Sequence, residues 1–303
     1  RETFTPVPSV AAALAALAIL ALVSDFWTIN PHETLSKVPR LILILLSGGV
    51  VIWGAAALPP EARSSMARWT VGGIFLAAVA LAFERLTGGF LMSFAGPQPN
   101  QTAFLNLFNR GLTVCAVLAW AGILWAARSR AWFGVLAFVV MAGLMLVFDT
   151  DAAVVAMAAG AVTFGLSYAR PRSFGRIFSI VAVLGVFAAP LVHNQLPPSK
   201  ELLEEGYVPR STYHRLLIWD FTSERIAERP FFGWGFNSSR VIPGRNRQLD
   251  TFEVALPLHP HNGALQLWLE LGIGGALVGA ALILAATEGA RKYTAGRLEQ
   301  ATA

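Results

Sequence analysis

Charge and cysteine are what this chain has least of. Asp, Glu, Lys and Arg make up 14% of its 303 residues, against roughly 25% in an ordinary soluble domain. That shortage excludes a disordered chain and a coiled coil, and the composition equally excludes a collagen. The single cysteine, Cys115, forbids an internal disulfide and a cysteine-based metal site. It lies in an apolar run and reads as a small buried residue. What the chain does have is apolar surface: 55% of its residues are hydrophobic and its mean hydropathy is +0.57. Its solvent is therefore mostly lipid. The net charge is +5, but in a membrane protein the placement of charge matters more than its sum. The first residue is Arg1 and not Met, so the numbering is read as open to a longer gene product. The first apolar run continues too far for a cleavable signal peptide.

A helix crosses a bilayer core in about 20 apolar residues. Eight runs fit that length, near 8–29, 38–58, 67–86, 104–127, 131–148, 151–169, 174–192 and 263–286. The fourth carries Asn106, Asn109 and Arg110 in its first turn. Runs five and six are separated only by Asp149, Thr150 and Asp151, which predicts a tight helical hairpin. Each span has to satisfy its own backbone hydrogen bonds in lipid, so the runs read as helices. The absence of period-two alternation argues against a barrel. Gly48, Gly49, Gly72, Gly73, Gly272, Gly274 and Gly275 suit close helix contacts. The expected fold is all-α: a polytopic membrane bundle of about eight spans, whole or part of a larger one, with one large external loop. Three parts are expected: a helix bundle (1–192), the loop (193–262), and a last helix with its tail (263–303).

Basic residues alternate between linkers. Arg63, Arg68, Arg128, Arg130, Arg170, Arg172 and Arg176 fall after runs two, four and six, and Arg291, Lys292 and Arg297 in the tail. The other short linkers hold Lys37, Arg40, Arg85 and Arg110. By the positive-inside rule both termini face the cytoplasm and 193–262 lies outside. All five histidines (His32, His193, His214, His259 and His261) then fall on the external side.

The external segment is where the chain stops being lipid-like. Loops of ~70 residues are functional or disordered, and its aromatic content, with Trp219, Phe221, Phe231, Phe232 and Trp234, argues for order. A helix is predicted from Thr212 to Glu228, with Ser211 as N-cap and Pro230 as stop. Arg215, Trp219, Thr222 and Ile226 share one of its faces. His259-Pro260-His261-Asn262 leads straight into the last span. A neutral imidazole there can take a proton from an attacking hydroxyl. The same residues also read as a helix cap by Asn262, or as part of a zinc site that lacks further ligands. Arg215 and Arg110 are candidates to grip phosphate oxygens. Their plainer readings are a solvated helix face and a side chain reaching lipid headgroups. Asp149 and Asp151 bracket a turn, and Asp151 reads best as an N-cap. Glu270, two turns into the last span, either orients a histidine or bonds a neighbouring helix. Gly233-Trp234-Gly235 lacks the Lys-Ser/Thr of a phosphate-binding loop, so nucleotide binding is unsupported. No basic stripe with interleaved aromatics points to nucleic acid.

Taken together, Arg215…Trp219, Ile226, Pro230, Gly233-Trp234-Gly235 and His259-Pro260-His261-Asn262 followed by Leu265, Gln266, Trp268, Leu269, Glu270 and Gly272 resemble the O-antigen ligase / polysaccharide polymerase superfamily. Asn109-Arg110-Gly111 agrees more loosely. The resemblance implies a bacterial inner-membrane glycosyltransferase with a periplasmic catalytic loop. It implies transfer of a glycan from an undecaprenyl-pyrophosphate carrier to an acceptor hydroxyl on a glycan, a lipid A core or a protein serine. On that reading His261, or His259 beside it, is the base, and Arg215 and Arg110 clamp the diphosphate. His214, Trp219, Asn262 and Glu270 line the substrate. No metal or cofactor is required, since diphosphate is already a good leaving group, and in-line attack inverts the anomeric carbon. A transporter or flippase for a lipid-linked anion would share the arginines without needing a histidine base. A structural partner of an envelope complex would need neither.

Overall fold

The computed structural model describes residues 8–94, 111–120, 123, 131–147, 151–169, 171–192, 201, 204–206, 210–250 and 253–302. Arg110, Asp149 and His193 lie outside the described residues. The chain is an all-α protein: α1 (Pro8–Val23), α2 (Pro31–Ala57), α3 (Pro60–Leu86), α4 (Phe90–Ser93), α5 (Gly111–Trp120), α6 (Ala131–Val147), α7 (Asp151–Ala169), α8 (Pro171–Val192), α9 (Arg210–Glu228) and α10 (Gly263–Thr302). One short antiparallel ribbon, Gln248–Asp250 against Glu253–Val254, interrupts the external segment. Seven of the eight predicted runs coincide with a described helix; of the fourth, 104–127, the described part holds the helix Gly111–Trp120. Five stretches are long and apolar enough to cross a bilayer: Pro8–Phe26, Pro31–Ala55, Ser64–Leu86, Ser173–Leu191 and Gly263–Gly289. This is a multi-pass membrane protein.

Residues 1–56 and 170–303 form one compact unit and 57–169 another. In the second unit α6 packs on α7, and Trp120 lies against Gly160, where a Cβ would come within 2.6 Å of its ring. Cys115 is buried there among Ile74, Met141, Met145 and Met157. Gly48, Gly49, Gly72 and Gly73, expected at helix contacts, meet nothing within 4 Å among the described residues.

In the first unit α8 runs antiparallel to α10. Ser179 donates to Thr287 (2.7 Å) near one end, and the Trp268 indole donates to the Val186 carbonyl (2.9 Å) nearer the other. α1 packs on α10 where Leu20 meets Gly274. The last helix departs from expectation. It was read as one straight span over 263–286, but its backbone leaves the helical region at Gly272 (φ 61°, ψ −149°). Beyond that break the two limbs fold against each other. Leu267 lies within 2.7 Å of a Cβ placed on Gly279, and its carbonyl oxygen lies against Gly275. In a straight helix positions 267 and 279 would stand about 18 Å apart.

The core of the segment between α8 and α10 is built from Ile218, Phe221, Ile226, Trp234, Ile242, Ala255 and Leu256, and it is completed by Leu265 and Leu269. The first limb of α10 therefore packs with that segment. α9 starts two residues before the predicted helix, so Ser211 lies in its first turn and is not the N-cap. It ends at Glu228 as Pro230 requires, and its Ile218, Phe221, Thr222 and Ile226 are buried.

Candidate functional site

The Gly272 break frees backbone groups that must find other partners. The turn after α9 supplies them. Trp234 N–H donates to the Leu269 carbonyl (2.9 Å), Gly235 N–H to the Glu270 carbonyl (2.8 Å), and Ile273 N–H to the Pro230 carbonyl (2.9 Å). The approach is backbone on backbone. A Cβ on Gly233 would sit 2.6 Å from the Glu270 carbonyl carbon, and one on Gly272 would strike the Phe231 carbonyl. Both glycines have positive φ, which a side chain disfavours. Gly233-Trp234-Gly235 is thus a stitch across a broken helix.

Beneath the stitch the Glu270 side chain is 4% exposed. It accepts from Asn237 N–H (2.8 Å), the Ser239 hydroxyl (2.8 Å) and the Gln266 amide (2.7 Å). Its donors come from the loop after Gly235 and from its own helix. Of the two readings open for Glu270, the bond to a neighbouring element is the one observed. The α1–α2 corner closes the same joint. Phe236 N–H donates to the Ser24 hydroxyl (2.9 Å), and the Thr34 hydroxyl donates to the Phe236 carbonyl (2.8 Å). Ser24, Thr34 and Ser239 were not singled out in the sequence, and Gln266 entered only as part of the motif, with no role given to it. Only the i, i+4 spacing of Gln266 and Glu270 hinted at a shared face.

The histidine turn sits at the start of α10. His259 and His261 are exposed, with ring centroids 4.3 Å apart, while Pro260 between them is buried. The Trp219 indole donates to the Pro260 carbonyl (2.8 Å), so Trp219 holds the turn. Arg245 donates to the Pro257 carbonyl on the approach to it. His261 adopts φ 53°, a left-handed conformation uncommon outside glycine. Its N–H reaches His259 Nδ1 at 3.3 Å. The Asn262 side-chain oxygen accepts from Ala264 N–H (3.0 Å) and Leu265 N–H (3.3 Å), which is an N-cap.

Arg215 lies one helical turn before Trp219 on α9, exposed at its N-terminal end. The electrostatics of His261 reveal its neighbours. Its pKa is lowered from the ordinary value first by burial, then by His259, Arg215 and His214. The Trp219–Pro260 bond brings α9 beside the histidine turn, although 45 residues separate His214 from His259 in sequence. A ring so placed stays neutral, free to accept a proton, further into the acid range than an ordinary histidine. Among the described residues no three His, Cys, Asp or Glu side chains gather as a metal-ligand set. A cleft of about 310 Å³ is lined by Gly175, Arg176, Ser179, Thr287 and Glu288, none of which belongs to the histidine turn.

An exposed histidine turn, an arginine helix and a glycine-broken membrane helix now stand together. Residues 136–280 match the O-antigen ligase family. That stretch holds α9, the stitch, the histidine turn and both limbs around Gly272. Arg110 precedes it. Curated relatives share the pattern of names. The "Putative polysaccharide ligase" of Rickettsia conorii is 26% identical over 264 residues, covering 84% of this chain and 62% of the relative. That of Rickettsia felis matches with the same identity and coverage. That of Rickettsia prowazekii is 30% identical over 211 residues, covering 67% of this chain and 50% of the relative. The chain thus spans 62% or less of the length of these relatives. No solved structure matches the chain. Within the matched stretch, Trp219, Asn262 and Glu270 spend their polar atoms on backbone and neighbouring side chains, while His259, His261 and Arg215 are exposed.

Proposed function

We propose that this protein is an inner-membrane glycosyltransferase of the O-antigen ligase or polymerase type, with the His214–Arg215–His259–His261 cluster on the periplasmic side. The donor is a glycan on undecaprenyl pyrophosphate and the acceptor is a hydroxyl of a glycan or of a lipid A core. The acceptor oxygen attacks the anomeric carbon and the carbon–oxygen bond to diphosphate breaks. The acceptor proton passes to His261, and lipid-linked diphosphate leaves with the bonding electron pair. Arg215 offers a permanently charged fork to the departing diphosphate; Arg110 is a second candidate for that role by its chemistry alone. Attack opposite the leaving group inverts the anomeric centre, and no step calls on a metal.

The observation carrying this reading is that the Trp219 indole, one turn after Arg215 on α9, donates to the Pro260 carbonyl between His259 and His261 (2.8 Å), and the lowered pKa of His261, to which Arg215 and His214 contribute, agrees with it. A base and a diphosphate clamp have to face one substrate. A transporter would need the arginine but would gain nothing from a depressed histidine beside it. The test is reconstitution of the full-length protein in liposomes with carrier-linked donor and acceptor. His261→Ala is expected to abolish new glycosidic linkage at unchanged expression, and Arg215→Ala to weaken donor use. Full turnover by His261→Ala would remove the histidine from the mechanism.

A further inference from the structure

Four aromatic side chains cluster away from the histidines. Phe26 is 91% exposed, Phe231 71% and Phe232 66%. Trp27 packs edge-on against Phe232 with centroids 5.5 Å apart, and its indole N–H is satisfied by the Phe232 carbonyl (2.8 Å). Two come from the end of the first apolar stretch and two from the turn after α9. We propose that Phe26, Trp27, Phe231 and Phe232 form an anchor seated in the lipid–water interface of the bilayer, so that the external segment touches the membrane at Phe231-Phe232.

Three observations fix the level of this patch. The apolar stretch of α1 ends at Phe26. Leu20 of α1 lies against Gly274, so the top of α1 is level with the Gly272 break. Pro230 is tied to Ile273 just past that break, which holds Phe231 and Phe232 at the same height. Length agrees. If the whole 27-residue stretch Gly263–Gly289 crossed as one helix, it would measure about 40 Å, well beyond a hydrocarbon core of about 30 Å. Counted from Ile273 to Gly289, the crossing limb is about 25 Å, comparable to the 19-residue stretches of α1 and α8. The membrane surface therefore falls near Gly272, at the patch.

The patch is also continuous with lipid-facing surface. Leu22 and Val23 on α1 and Ile273 and Leu277 on α10 are exposed apolar residues directly along the helices. Aromatic rings gather at this depth in membrane proteins. With the Trp27 N–H bonded inside the protein, its ring carries no unmet donor into the acyl region. The neighbouring Arg229 does not compete, because its guanidinium lies over the Trp234 ring at 4.2 Å.

The test places single spin labels at Phe26→Cys and Phe231→Cys in a Cys115→Ala background, in liposomes, and measures relaxation by oxygen and by a water-soluble nickel chelate. Both labels are expected to show oxygen-to-nickel accessibility several-fold above a label at Arg240→Cys, and to lie shallower than one at Leu46→Cys. Nickel accessibility equal to that at Arg240 would overturn the proposal in favour of a solvent-exposed patch. Protection from both reagents would overturn it in favour of a protein partner or second copy. Either exposed position alone decides the matter if the other variant folds poorly. No activity measurement enters, so failure here leaves the transferase reading intact.

Discussion

Glu270 is the residue whose replacement most sharply separates a structural from a substrate-binding role. Its carboxylate is buried and accepts three well-formed hydrogen bonds at 2.7–2.8 Å, from Asn237, Ser239 and Gln266. In Glu270→Ala all three donors lose their acceptor in a site closed to water. An orphaned buried donor costs about 1–3 kcal/mol, so the sum is at least ~3 kcal/mol against a typical total stability of about 5–15 kcal/mol. Glu270→Gln keeps one oxygen. It turns an amide N–H toward either Asn237 or the Ser239–Gln266 pair, and loses about 1–3 kcal/mol. The expected order of thermal stability in detergent is wild type, then Gln, then Ala, measured by the fraction remaining monodisperse after heating. Transfer activity at a permissive temperature should fall only as far as the folded fraction falls. If Glu270→Gln melts like the wild type while losing transfer, the carboxylate acts on substrate and the structural assignment is wrong.

Trp219→Phe keeps the ring but deletes the N–H donated to the Pro260 carbonyl. It should slow transfer about tenfold, as a ~1.4 kcal/mol loss of one buried hydrogen bond predicts; unchanged kinetics would mean that the histidine turn holds itself. Gly272→Ala puts a Cβ into the Phe231 carbonyl at positive φ. It should destabilise by more than the ~1–2 kcal/mol of left-handed strain alone, read as loss of the folded protein in detergent. Transfer should decline in acid through a pKa below that of an ordinary histidine, because the base works only when neutral and its folded pKa is lowered by burial and by its positive neighbours. By the same sign, the contribution of His261 to stability is present above its unfolded pKa and is lost as pH falls below it. Arg215→Gln removes one positive neighbour and should move that acid limb upward, whereas Arg215→Lys should leave it in place.

The membrane helices were legible because lipid demands long apolar runs, and seven of the eight runs mark a described helix, with part of the eighth described as one. The α9 boundaries were nearly legible, since Pro230 cannot continue a helix. The break at Gly272 was not. A glycine in an apolar run looks the same whether it packs, as Gly274 does against Leu20, or bends the chain. Only the partners from Pro230–Gly235 distinguish the two, and they lie about 40 residues away in sequence. The histidines and Arg215 were found from their chemistry. Trp219 and Asn262 were noticed for the same reason, yet their polar atoms are spent on Pro260 and on the α10 N-terminus. A side chain that can bind a ligand can equally bind backbone, and sequence alone does not say which it meets first. Arg110 and Asp149 fall outside the described residues.

The break also explains how distant residues come to share one site. If α10 rose straight from the bilayer, its first limb would carry the histidine turn away from α8. Folded at Gly272, that limb instead lays Leu265 and Leu269 into the core beneath α9 and brings Trp268 to Val186. α9 is then fixed at its middle and beyond its C-terminal end. At its middle, Trp219 grips Pro260; beyond its end, Trp234 grips Leu269 and donates its indole N–H to the Arg225 carbonyl (2.9 Å). Arg215 and His261 are held in register by those two attachments and by no bond between themselves. A change at either attachment should therefore disturb both residues together, whereas a change at Arg215 should leave the histidine turn where it is.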